Sequence, residues 1–350
     1  AAQGVVGEEA EAGDGDRRRQ RRQELSPALE RRGEGEEEGD AAERHEVRKQ
    51  LRRLLQQLAH YQRPETTALD LLHARGFSPR IVERFFKPFF AGVFFEPDLA
   101  VSSRAFEFVF RAFALGDTAL PAGGMGAIPA QLAARLPSES IRLGARVRQL
   151  LDGQVALESG ERVRARALVV AADAREAARL LERETLPETR GTTCFYFAAE
   201  RAPFPGSDLA LNGEARGMIN SLLVPSNLSR CYAPPGRHLV TVNLFGTGLD
   251  PDSIEADLRR ELVAWFGAAV EHWERLKVYR LPDALPRQAP PVSYPGTREL
   301  MVGKRLWCCA ELGGAPSIQW ALHSGSRAGA EVAATLLGGG REASRRRGDS

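Results

Sequence analysis

The run Ala167-Leu168-Val169-Val170-Ala171 is apolar at every position. A strand with one wet face alternates, so an unbroken apolar run belongs to a strand covered on both faces, as in a parallel sheet under helices. Asp152-Gly153 and Ser159-Gly160 are hairpin turn signals upstream of it. They divide residues 145–150, 154–158 and 161–165 into a three-stranded meander that feeds the apolar strand. A helix is predicted over 174–181. A second short strand, 305–310, leads through a loop at 311–316 into a long helix from Ser317 to about Leu337. These elements predict an α/β class.

The rest of the chain is uneven. Residues 1–50 hold 14 acidic and 10 basic residues and no Phe, Tyr or Trp. Such a segment buries too little apolar surface to offset its ordering entropy, so it reads as disordered or low-complexity. Its acidic content argues against a transit peptide, and no apolar h-region argues for secretion. Cytoplasm and plastid both remain compatible. No apolar run reaches the ~20 residues of a membrane span, which leaves only peripheral membrane contact. A formal net charge of +2 over 350 residues gives no electrostatic case for nucleic acid. The four cysteines (194, 231, 308 and 309) are too scattered for a disulfide scaffold.

From residue 51 the pattern is helical. Leu51, Leu54, Leu55, Leu58 and Tyr61 recur at helix spacing, and Pro64 ends that helix. Thr67 with Asp70 resembles a capping box, with Gly76 closing the short helix that follows. Ser78-Pro79 opens another helix, and Ser102 or Ser103 a third, closed by Gly116. Between these lies a Phe-rich stretch, 85–95, read as core or as the lining of an apolar cavity. Strands are expected over 193–198, 218–224 and 238–245. Asp252 and Glu255 mark a helix start. Residues 279–291 read as Pro-rich and extended.

Two loops attract chemical interest. In C-A-E-L-G-G-A-P-S-I-Q-W (309–320) a strand passes an acidic residue and two glycines and enters a helix at Ser317. Free N–H groups and the helix dipole at that end suit an anionic or electron-rich ligand. The null is an ordinary capped helix on a sheet. The loop G-G-M-G-A-I-P (123–129) resembles a phosphate loop, but Pro129 occupies the third glycine position of G-x-G-x-x-G. Its null is a plain connection. The six histidines show no metal-ligand spacing, and no G-x-S-x-G elbow occurs. Cys308 and Cys309 read as packing residues.

Five stretches, in order, resemble the FAD-dependent amine oxidase and phytoene desaturase superfamily, which includes protoporphyrinogen oxidase. They are R-G-F-S-P-R-I-V-E-R-F-F-K-P-F-F-A-G-V-F (75–94), L-P-A-G-G-M-G-A-I-P-A-Q-L-A (120–133), G-A-R-V with the meander and A-L-V-V-A-A-D, Y-R-L-P-D-A-L-P (279–286), and the block beginning at residue 309. The resemblance implies an FAD-binding domain from 117–183 and 292–340. It implies an α+β substrate domain from 51–116 and 184–291, with 341–350 as a tail. Backbone of Val147 is implied near the adenine, and Glu311 at the ribityl or pyrophosphate. Gly123, Gly124 and Met125 are implied beside the flavin ring. Pro316, Ser317 and Ile318 present a helix N-terminus to its pyrimidine edge. Trp320 departs from the family's usual Gly, and Ser326 from its frequent Arg. The strand, G-x-G-x-x-G and helix that open the family are absent from the sequence, so the expected fold is an FAD/NAD(P)-binding type lacking its first βαβ unit.

The implied activity is an FAD-dependent oxidation of a small, largely apolar substrate, in a truncated chain. The alternative is a non-catalytic remnant or interaction protein that no longer binds FAD.

Overall fold

The structure, a computed structural model, describes residues 64–248, 250–292, 299–309 and 316–346, with side chains to 337. The charged segment 1–50, the helix expected over 51–61, and Glu311 lie outside the described residues.

Local capping sets the first helices. Thr67 Oγ1 accepts from the Asp70 N–H at 3.1 Å and donates to the Asp70 carboxylate at 2.7 Å, starting α1 (Ala68–Ala74). Gly76, at φ 75, turns the chain away. Ser78 caps α2 (Pro79–Ile81), with Pro79 at the first helical position. A π-helical turn over Val82–Phe86 carries α2 into α3 (Lys87–Phe94). Val82, Phe86, Phe90 and Phe94 are all buried. A spacing of four drifts around an ordinary helix, and the wider π turn slows that drift. Ser102 caps α4 (Ser103–Leu115), as expected. Phe86, Phe90 and Phe106 are fully buried, with Phe90 and Phe106 rings 4.6 Å apart. Of the Phe-rich stretch, Phe86, Phe90 and Phe94 are packed core, while Phe85 is 36% exposed. Each packed side chain contributes roughly 1.5–3 kcal/mol by its burial.

After α5 (Ala127–Ala133), the meander forms as expected from β1 (Val147–Leu151), β2 (Gln154–Leu157) and β3 (Arg162–Arg164). The apolar run becomes β4 (Leu168–Val170), followed by α6 (Ala174–Leu180) under an Asp173 cap. Then come β5 (Thr189–Ala199), β6 (Ala210–Leu211), β7 (Ile219–Leu223), the short α7 (Pro225–Leu228) and β8 (His238–Phe245). The chain continues through α8 (Pro251–Phe266), β9 (Glu274–Pro286), β10 (Met301–Gly303), β11 (Leu306–Cys308) and α9 (Ile318–Arg346).

Three sheets result. The meander is one. The second has the order β10-β11-β4, with β11 parallel to β4 and antiparallel to β10. The third is a five-stranded antiparallel sheet in the order β6-β7-β8-β5-β9. One face of this third sheet packs on α8 through Phe195, Phe197, Val240, Val242, Leu258 and Leu262. Against its other side, α3 approaches β7 closely. A Cβ on Gly92 would stand 2.6 Å from the Asn220 amide nitrogen, so any larger residue there must displace that side chain.

Three local readings change. The cap of α8 is Asp250, which accepts from the Ser253 N–H at 3.0 Å, and not Asp252. Pro251 decides this, because it occupies the first helical turn and places the cap before it. β9 begins at Glu274, earlier than its composition suggested, because Arg275 and Lys277 lie on an exposed edge strand. Val169 is 44% exposed, so among the described residues β4 is covered on one face only.

Candidate functional site

The two parallel strands deliver their carboxyl ends to helices. Open α/β sheets bind ligands at such ends. Beyond β4, Asp173 caps α6 by accepting from the Glu176 N–H at 2.9 Å. Beyond β11, the Cys309 N–H donates to the Val170 carbonyl at 3.0 Å. The Cys309 carbonyl accepts from Ser324 Oγ at 3.1 Å, which holds the second turn of α9 against the strand end. Further along, the buried Trp307 indole donates to Glu331 at 3.1 Å and packs on Ala328. Strand and helix are thus clamped at two heights.

The start of α9 is an electropositive end. Ser317 Oγ accepts from the Trp320 N–H at 3.1 Å, and the Ser317 carbonyl accepts from Ala321. The N–H groups of Ile318 and Gln319 have no partner among the described residues. They stay available, with the helix dipole behind them, to an electron-rich group. Ile318 is 44% exposed. Pro316 and Ser317 are half-buried. Trp320 folds back along the helix, its ring 5.7 Å from that of His323. Its indole N–H is buried and finds no acceptor. The open backbone donors at the helix start fit the electron-rich edge of a flavin ring. In the sequence Trp320 stands out only as a departure from the family's usual Gly, which gives no hint of its buried donor.

The remaining candidates are dispersed. Gly123, Gly124 and Met125 form the turn into α5, with Gly124 at φ 80 and Met125 44% exposed. Among the described residues no hydrogen bond joins that turn to Pro316–Ile318. The segment before it is tied instead to Tyr232, which donates its hydroxyl to the Pro121 carbonyl at 2.6 Å. Val147 opens β1, and its carbonyl already accepts from Arg179 at 3.0 Å. The same guanidinium reaches the Arg148 carbonyl at 2.8 Å and grips Glu176. That grip holds the Glu176 carboxyl below the usual carboxylate range.

The five-stranded sheet adds a polar face that the motifs did not reveal. Strand alternation puts Thr192, Cys194, Tyr196 and Ala198 opposite the α8 side of β5. Tyr196 meets Tyr279 of β9 edge-on at 5.6 Å. Asn220 of β7 is buried with its carbonyl oxygen unpartnered. Burial pushes the Cys194 thiol up to about 11 and the Tyr196 hydroxyl up to about 12. A raised acid binds its proton more tightly folded than unfolded, so stability is lost as pH climbs from the unfolded toward the folded value. Urea unfolding of wild type and Cys194→Ala from pH 8 to 11 is expected to show the wild type losing more stability. For one group the limiting slope is ~1.4 kcal/mol per pH unit.

Among the described residues no helix is long and apolar enough to cross a membrane. No curated protein sequence matches the chain. Solved structures do. An oxidoreductase from Methanosarcina mazei superposes with a TM-score of 0.54 at 16% identity, covering 73% of this chain and 64% of that one. Cyclohexylamine oxidase from Brevibacterium oxydans gives 0.55 at 15% identity, covering 78% and 68%. Reduced UDP-galactopyranose mutase gives 0.50 at 14%, covering 71% and 61%. At these identities the likeness is one of fold. The chain spans 64% of the length of the Methanosarcina mazei protein. The model of the flavin containing amine oxidoreductase family matches residues 6–332 and so reaches back into the charged segment. With nearly its whole length matched by that model, the chain belongs to the flavin containing amine oxidoreductase family.

Proposed function

We propose that this chain is an FAD-dependent oxidoreductase that removes hydride equivalents from a small, largely apolar substrate. The observation that carries the reading is the start of α9, whose two open backbone donors follow the carboxyl end of β11, the strand parallel to β4. In this reading Ile318 donates to the pyrimidine edge of the flavin. Ser317 and Pro316 fix the helix start, and the Gly123–Met125 turn lies against the ring. Glu311 takes the ribityl or pyrophosphate region, and Val147 the adenine. A bound flavin supplies the electron sink for the substrate's C–H bond. The chain's own part is to bind, orient and exclude water. The aromatic pair Tyr196 and Tyr279 supports an apolar substrate on that face of the five-stranded sheet.

Flavin content of the purified chain tests this reading. The visible spectrum is expected to show flavin, and denaturation to release FAD. Ile318→Pro sharpens the test. Proline is tolerated at the first helical position but removes its N–H. The variant should keep its far-UV circular dichroism and lose roughly three- to tenfold in FAD affinity, the worth of one hydrogen bond. A chain that takes up no FAD from an excess overturns the proposal in favour of a non-catalytic interaction protein.

A further inference from the structure

The amino ends of β4 and β11 border a concavity at the opposite end of those strands from the start of α9. Its volume is about 500 Å³, within the range of small-molecule sites. Three chain segments wall it: the β1–β2 turn, the approach to β4, and the β10–β11 turn. Leu168 and Leu306 give it an apolar floor. Arg166, Lys304 and Arg305 line it against a single carboxylate, Asp152.

None of these three cations has an ion-pair partner among the described residues. The adjoining meander behaves differently, with Arg142 paired to Glu161 at 2.8 Å and Arg146 to Glu158 at 3.2 Å. Arg166 gives one N–H to the Leu336 carbonyl at 3.4 Å and keeps the rest of its fork. Arg305 sits at φ 57, a conformation that Gly or Asn adopts at lower cost. The strain retains an arginine where a turn alone would favour a smaller residue. Two backbone donors of the rim are already used, since Ala165 bonds the Gly153 carbonyl and Leu168 the Arg305 carbonyl, both at 2.9 Å. Recognition therefore falls to the side chains. Three cations around one carboxylate leave two positive charges unmet, the charge carried by a phosphomonoester above pH about 6. Guanidinium forks also match its oxygens.

We propose that this concavity binds a phosphomonoester, its dianionic head among Arg166, Lys304 and Arg305 and its apolar or aromatic body on Leu168 and Leu306. The site is independent of the flavin reading and stands or falls without it.

Titration calorimetry of the full chain with phenyl phosphate tests it. One binding event is expected, weaker for benzoate, and weakened at least roughly tenfold in Lys304→Gln/Arg305→Asn. Asparagine suits the left-handed position, and a thermal melt checks that the variant folds. Arg216→Gln, on an exposed loop elsewhere, should bind as wild type. Sedimentation with phosphatidic acid and phosphatidylcholine vesicles separates a lipid headgroup from a soluble ester. Selective binding to the acidic vesicles that the double variant loses supports the same chemistry with a lipid source. Binding of neither probe, or equal losses in Arg216→Gln, overturns the proposal.

Discussion

Trp307→Ala is expected to lower the stability of the chain by about 3–5 kcal/mol, the usual cost of emptying a fully buried aromatic site. Trp307 is 0% exposed. It lies in the central strand of the β10-β11-β4 sheet and meets α9 through Ala328 and the bond to Glu331. Alanine leaves a void between strand and helix and strips Glu331 of its indole donor. Trp307→Phe keeps most of the volume and loses only that hydrogen bond, about 1 kcal/mol. Guanidinium unfolding of the two variants separates packing from hydrogen bonding. Under the proposed function the alanine variant should also retain less flavin, because the same contact docks α9 on β11. Equal stability of the two variants would refute the packing account.

Gly191→Ala is the second large effect. A Cβ there would stand 2.6 Å from the Leu281 carbonyl oxygen and 2.9 Å from the Pro282 Cα. Both are backbone atoms of β9, so no side-chain rotation relieves the clash. Gly191 sits where the β5–β9 register shifts, between the Arg190–Leu285 and Thr192–Leu281 pairs. The bulge brings β9 too close for any side chain. The expected cost is about 2–4 kcal/mol, seen as a melting temperature lower by roughly 5 °C or more. Hydrogen exchange should show the loss concentrated in β9, with the β7–β8 pair still protected. Uniform loss across the sheet would show that β9 is not the element displaced.

Which features were legible follows from the range of the interactions behind them. Thr67, Ser78 and Ser102 act within four residues of themselves, so their caps stand in the sequence as they stand in the structure. The parallel neighbour of β4 was legible only as a pattern. The exposure of Val169 depends on what covers the sheet, which an apolar run does not state. β9 was half hidden because an edge strand with solvent on one side has no need of apolar residues. At the candidate site, the strand-loop-helix signature points to the helix start at Ser317, and Ile318 is named only by the family resemblance. The buried indole of Trp320, the clamp from Ser324 to Cys309 and the unpaired cations at Arg166, Lys304 and Arg305 arise from contacts between distant segments. Periodicity carries no trace of those.

The parallel pair β4 and β11 also sets an order of events during synthesis. Residues 168–170 leave the ribosome long before 306–308, which must return to lie beside them. Everything that builds the five-stranded sheet is made in the interval. Closing so long a loop is slow, whereas the hairpins between are local and fast. Every strand of the five-stranded sheet is therefore available before β11 emerges, and its local pairs are β6–β7 and β7–β8. β4 waits with an open edge, and the start of α9 comes into being only when the final strand arrives.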